Sequence, residues 1–241
     1  MRLVLLTNPS DEFSNHFLRG IDPPTLKRLD IWILILDRKH HQMGFKKKLR
    51  YFWKFIGIKR FINSILKPMI NRDNTIEGIA QNLDLPIEKI SMENLAERLK
   101  EIRPDVGVVA SLGHILPNEI LDIPDQGFIN IHPSFLPYHR GPHPIFWALY
   151  DMDEETGVTI LRMGERIDVG EILIQEKIKI LLIDEQQICY NLGRLGGKLF
   201  SKIISHLHEI EPVMVEQQRP YEKRPSLKRR KELNRRLEKG V

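Results

Sequence analysis

The chain has 241 residues, 41% hydrophobic, one cysteine and a formal charge of +5, enough to bury the core of one α/β domain with appendages or of two small domains. The single Cys189 excludes an internal disulfide, a metal-thiolate cluster and a CxxC redox pair, and as a buried spectator thiol it suits a reducing compartment. The opening Arg2-Leu-Val-Leu-Leu-Thr turns polar too soon for a signal peptide, and no apolar run reaches the roughly eighteen residues of a spanning helix, so a cytoplasmic protein without a transmembrane segment is expected.

Residues 3–6 and 31–36 are short, continuous apolar runs, as strands covered on both faces of a parallel sheet require, and 106–110 repeats the pattern. Before that third run, Ser91 precedes Leu95, Leu99 and Ile102 at helical spacing, and Pro104 closes the helix. Strand, helix and strand in succession imply right-handed crossovers. A turn and short helix follow over 117–121, then a strand over 127–132 and a helix from Pro144 to about Tyr150, with proline at a favoured first-turn position. Residues 156–163 and 171–178 alternate apolar and polar, two strands joined by Gly164-Glu-Arg-Ile-Asp-Val-Gly170. A long amphipathic helix is expected over 183–209, ended by Glu211-Pro212.

Charge is segregated. Residues 38–72 hold eleven Lys/Arg and no acid, and 219–241 hold ten Lys/Arg against three Glu, so these stretches carry +18 and the remainder −13. The protein reads as an acidic body, 1–212, with a basic amphipathic helical insertion at 38–72 and a basic tail at 213–241. In the insertion Phe45, Leu49, Phe52, Trp53 and Ile56, then Ile58, Phe61, Ile62, Ile65 and Met69, recur every three or four residues. Such a stripe packs on its own domain with the lysines solvated, or docks on an anionic lipid or partner. Any contact with an anionic surface should localise to these two segments.

Chemistry concentrates at 127–144, where a polar pair interrupts an apolar strand. Side chains two apart share a strand face, so Asn130 and His132 point together, and Pro133 stops the ladder. Taken alone, an Asn-x-His pair serves equally to tie a strand end to its loop. With Asp168 it supplies an amide donor, an imidazole and a carboxylate. Acyl transfer to an amine needs a donor to the carbonyl oxygen, for which Asn130 is suited, and a group exchanging protons near neutrality, for which His132 is suited. Asp168 would orient that ring. Neither an acylated serine or cysteine nor a metal is required.

The run Asn130-Ile-His-Pro-Ser-Phe-Leu-Pro-x-x-Arg-Gly-Pro-x-Pro, then Thr156-Gly-Val-Thr and Ile167-Asp-Val-Gly-Glu-Ile-Leu, resembles the folate-dependent formyltransferases over about 104–178. The resemblance implies an α/β, Rossmann-like, mainly parallel sheet with helices on both faces, and 10-formyltetrahydrofolate as cosubstrate, with Asn130, His132 and Asp168 catalytic. It also implies a pterin pocket lined by Val109, Ala110, Ser111, Leu112, Gly113, Ile115, Leu116 and the turn starting at Gly164; Leu112 and Ile115 serve equally as core. Where relatives read Asp-Thr-Gly-Asp, this chain has Asp168-Val-Gly-Glu171. Ser134, Arg140 and Gly141 are candidates on the acceptor side: Ser134 turns the loop, Arg140 meets an acidic acceptor or pins the loop to a carboxylate, and His139 and His143 face solvent.

For the acceptor, Thr7-Asn-Pro-Ser-Asp-Glu-Phe lacks the glycines of a phosphate loop, which disfavours glycinamide ribonucleotide. The residues after Pro212 are too few for the barrel that methionyl-tRNA enzymes append. A small-molecule amine such as a nucleotide-linked aminosugar is the expected acceptor by elimination, with the methionyl-tRNA type and a silent scaffold as alternatives, and a homodimer is plausible by resemblance.

Overall fold

A computed structural model describes residues 1–9, 11–36, 72–181, 184–214 and 219–238. The basic insertion expected over 38–72 lies outside them except for Arg72. Strands β1 (Arg2–Thr7), β2 (Asp30–Leu36), β3 (Ile87–Ile90), β4 (Val106–Val109), β5 (Phe128–His132), β6 (Glu155–Arg162) and β7 (Ile172–Lys179) form one seven-stranded sheet in the order β3-β2-β1-β4-β5-β6-β7. Strands β1 to β5 run parallel, whereas β5 with β6 and β6 with β7 are antiparallel. Strand β1 lies between β2 and β4, so the order reverses there, which opens a crevice outside the carboxyl ends of the parallel strands.

Alternation along each strand sorts the core into two layers. Leu3, Leu5, Ile33, Val108, Ile129 and Ile131 face α1 (Glu12–Gly20), α3 (Ile76–Asn82) and α7 (Glu185–Ile203), through Phe17, Ile79, Leu199 and Phe200. On the other side Val4, Leu6, Leu34, Val109 and Phe128 meet Leu99 and Ile102 of α4 (Leu95–Ile102) and Ile120 of the single-turn α5 (Asn118–Leu121). Helix α6 (Pro144–Tyr150) begins with proline as expected. The expected helix over 183–209 runs Glu185–Ile203 and ends in a 3₁₀ turn. Cys189 sits half-buried on it, and burial pushes its thiol up, above the usual range.

Helices α1 and α2 (Pro23–Arg28), α3 and strand β3 carry too few apolar residues to stand out in the sequence. Local chemistry still specifies the helix starts, because Asp11, Asp22 and Thr75 accept the N–H groups of Ser14, Thr25 and Gly78. The basic tail differs more from expectation. Residues Leu227–Glu238 form α8, and its arginines turn inward onto the aromatic face of α6. Arg229 lies 4.9 Å from the ring centre of Trp147, Arg230 5.2 Å from Phe146 and Arg236 4.9 Å from Tyr150. Contacts of this kind contribute about 0.5–1 kcal/mol each where solvent reaches them. The Tyr150 hydroxyl also donates to Glu232 at 2.8 Å.

Helix α7 crosses α1 closely because glycines replace side chains there. A Cβ on Gly197 would stand 2.3 Å from Phe17 O and 2.5 Å from Gly20 Cα, both backbone atoms that cannot step aside. We therefore expect Gly197→Ala to destabilise the fold by about 2–3 kcal/mol through overpacking, although alanine favours an isolated helix by about 1 kcal/mol. Urea unfolding followed by circular dichroism checks this; an unchanged midpoint contradicts the packing account.

Candidate active site

Strand β5 delivers Asn130 and His132 to the crevice on one face, opposite the core-facing Ile129 and Ile131. Past His132 the chain folds back on itself. Ser134 N donates to His132 O at 2.9 Å, Ser134 Oγ donates to Tyr138 O at 2.7 Å, and Thr159 Oγ1 donates to Ser134 O at 2.8 Å. Ser134 is fully buried and its hydroxyl is spent on the loop, so it turns the chain and presents nothing to a substrate.

Asp168, in the turn between β6 and β7, returns to this loop in the left-handed conformation at φ 50°, which aspartate tolerates better than most residues. Its Oδ1 accepts from Asn130 Nδ2 at 3.1 Å and lies 3.5 Å from His132 Nδ1; its Oδ2 accepts from Gly141 N at 2.7 Å. The side chains of His132 and Asp168 are only 6% and 7% exposed. His132 Nε2 is 3.0 Å from the carbonyl oxygen of His139. A carbonyl only accepts, so Nε2 carries the hydrogen and Nδ1 is the nitrogen that faces Asp168. One amide hydrogen of Asn130 goes to Asp168, and its second meets no partner among the described residues.

Arg140 pins loops together, but onto carbonyls rather than a carboxylate: Nη1 donates to Arg219 O at 2.8 Å and Nη2 to Ile167 O at 2.9 Å. His139, expected in solvent, is buried. Its Nε2 meets Asp153 Oδ2 at 2.6 Å and its Nδ1 meets Glu222 Oε2 at 3.1 Å. Two carboxylates stabilise a buried ring that either one alone would leave half-satisfied. His143 is half-buried at the start of α6, at φ 66°. His139 thus departs from expectation because Asp153 and Glu222, the latter beyond residue 218, enclose its ring.

That segment was not legible as part of the site. Tyr221 and Glu222 pass over Gly141, where a Cβ would stand 2.4 Å from Glu222 O and 2.8 Å from the Tyr221 ring. Glu222 N donates to Arg140 O at 2.8 Å, and Trp147 Nε1 donates to Lys223 O at 3.2 Å. Burial, and then the nearby Asp168 carboxylate, hold the Tyr221 phenol above its usual range. Among the described residues the one grouping with metal-like donor spacing is His139, Asp151 and Glu222, within 4.8 Å of one another. Both ring nitrogens of His139 already meet carboxylates, which makes it an ion-pair cluster.

Of the residues named for the pterin pocket, Val109, Ala110 and Leu116 are buried core, able to offer only backbone groups. Leu112 is partly buried on the same layer as Leu116, and Ile115 is 71% exposed. Ser111 and Gly113 belong to a loop held by the first strand's turn: Ser111 Oγ donates to Asp11 Oδ2 at 2.6 Å, and Gly113 N donates to Asn8 Oδ1 at 3.1 Å. Asn8 and Asp11 lie in the run weighed in the sequence only as a phosphate loop. Gly164 lines a cleft of about 280 Å³ with Asn118, Leu121, Gln126, Phe128 and Met163. Beside Asn130 and His132, the residues Leu136, Arg140, Asp168 and Met214 enclose only about 20 Å³, room for one water.

The family model described as "Formyl transferase" matches residues 69–199, more than half of the chain. A methionyl-tRNA formyltransferase of Ehrlichia ruminantium (strain Gardel) is 44% identical over 121 residues, which cover 48% of this chain and 39% of that protein. This chain therefore spans about two-fifths of the length of that curated relative. Among solved structures, the phosphoribosylglycinamide formyltransferase of Anaplasma phagocytophilum superposes with a TM-score of 0.60 at 18% identity, covering 87% of each chain. HypX of Aquifex aeolicus, solved in complex with tetrahydrofolic acid, gives 0.59 at 13% identity over 95% of this chain and 31% of that one. At such identities the structural likeness concerns the fold, while the matched sequence carries the motif strand and the Asp168 turn with it: the chain belongs to the formyl transferase family.

Proposed function

We propose that the protein transfers a formyl group from 10-formyltetrahydrofolate to a primary amine, with Asn130, His132 and Asp168 as the reacting constellation. The observation that carries this reading is the convergence of amide, imidazole and carboxylate within 3.5 Å at the carboxyl end of β5. The folate supplies an activated formyl carbon. In the transfer a bond forms from the acceptor nitrogen to that carbon, the bond from the carbon to N10 breaks, and one proton passes from the acceptor nitrogen to N10. The free amide hydrogen of Asn130 serves the oxygen as negative charge develops there. His132 Nδ1, steadied by Asp168, serves the proton.

The cleft beside Gly164 supports a place for the pterin. It is lined by both apolar and polar groups, and Gln126 keeps its Oε1 buried with no partner among the described residues. A pterin bears amino and ring N–H donors of the kind that such an acceptor lacks. For the acceptor, a small molecule such as a nucleotide-linked aminosugar is the first reading; the opening of about 20 Å³ at Asp168 has room for an amino group only and does not choose between acceptors. The second reading, an aminoacyl-tRNA acceptor, is favoured by the curated relative's being a methionyl-tRNA formyltransferase.

Incubation with 10-formyltetrahydrofolate and a panel of nucleotide-linked aminosugars, aminoacyl-tRNA and small amines, following release of tetrahydrofolate, tests donor and acceptor together. Release with no amine on the panel contradicts the reading. We expect His132→Ala and Asp168→Asn to lower turnover by about 10²-fold or more with the fold retained; full turnover in either refutes the assigned roles. We expect Gln126→Leu to raise KM for the folate donor about five- to tenfold, the cost of one lost hydrogen bond, with kcat within twofold. Steady-state kinetics at varied donor check this, and an unchanged KM removes Gln126 from the pterin site.

A further inference from the structure

The segment Arg219–Ser226 lies beyond the residues that the family model matches, yet its Tyr221 and Glu222 lie against the loop that follows β5. We infer that Glu222 is a positioning residue for His132, acting through His139, an inference that rests on the formyl-transfer reading. The path consists of contacts already described. Glu222 Oε2 holds one ring nitrogen of His139 at 3.1 Å while Asp153 holds the other at 2.6 Å. Ionised carboxylates only accept, so the clamp is complete when both ring nitrogens carry hydrogen.

With its ring fixed at both ends, His139 stays in the left-handed conformation at φ 54°, where a non-glycine residue rests only if its surroundings hold it. In this position its carbonyl accepts from His132 Nε2 at 3.0 Å. That acceptor selects the His132 tautomer and turns Nδ1 toward Asp168. The backbone of the same strap completes a ring of contacts, because Glu222 N donates to Arg140 O, and Gly141, the next residue, donates to Asp168 Oδ2. The strap therefore braces both partners of the catalytic pair. The charged or titratable groups facing the two rings are Asp153, Asp151 and Glu222 at His139, and Asp168, with Tyr221 beside it, at His132.

The test uses the full chain with ¹⁵N-labelled histidine and compares the unaltered protein with Glu222→Ala and Glu222→Gln. In the unaltered protein the neutral His132 ring should be protonated at Nε2 alone. Glu222→Ala should give a mixture of tautomers at His132 and lower kcat about tenfold or more, with KM for donor and acceptor within twofold. Glu222→Gln, whose amide oxygen still accepts from His139 Nδ1, should keep kcat within about threefold. Asp153→Ala removes the acceptor on the opposite side of the ring, so a similar ring change is expected there, and it keeps the inference testable if the Glu222→Ala variant fails to fold. Unchanged His132 ring spectra in a folded Glu222→Ala or Asp153→Ala protein would overturn the inference. Absence of turnover in the unaltered protein counts against formyl transfer instead, and the ring spectra then decide the positioning role by themselves.

Discussion

A buried carboxylate holds this site together. Removing Asp168 from water costs several kcal/mol unless its oxygens are satisfied. Its satisfaction recruits the Asn130 amide, the His132 ring and the Gly141 backbone N–H at once. Asn130 and His132 come from a strand end and Gly141 from the loop that follows it, whereas Asp168 comes from a turn far along the chain, so one charge ties that turn to both. The same contacts that satisfy the charge bring an amide donor, an imidazole and a carboxylate side by side.

The sheet explains why the charge can be buried there. Parallel strands with both faces covered end together, and the reversal of order at β1 leaves a crevice above β1 and β4 with β5 beside it. Antiparallel β6 and β7 then extend the sheet and swing their connecting turn back over β5, which places Asp168 beside Asn130. Tight helix packing through Gly197 and Gly20 supports the strand from behind. On the far side, α6 carries an aromatic face on which the arginines of α8 settle. The charge segregation seen in the sequence is thus partly structural: several tail cations bind rings of their own chain.

What was legible followed from period and local order. The apolar runs of β1, β2 and β4 and the Asn130, His132 alternation could be read directly, because strand geometry converts spacing into facing. Asp168 could be read from the glycine-bounded turn that carries it. Helices α1 and α3 were not legible, since their stability comes from capping residues and tertiary contact rather than a long apolar stripe. His139 misled the reading because nothing near it in the sequence hints at Asp153 and Glu222 as partners. Ser134 turns its loop as expected, through the Tyr138 carbonyl, whereas Arg140 pins its loops through the carbonyls of Arg219 and Ile167, backbone atoms that leave no mark in the sequence.

The account's central claim is that one formyl carbon is held among three side chains and passed intact to nitrogen. The fate of that carbon is observable directly, by supplying tetrahydrofolate labelled with ¹³C in its N10-formyl group and an accepted amine, and recording ¹³C spectra as the reaction proceeds. The account predicts a formamide carbon on the acceptor, growing in step with unlabelled tetrahydrofolate. Label emerging as free formate, or remaining on the folate, would contradict it.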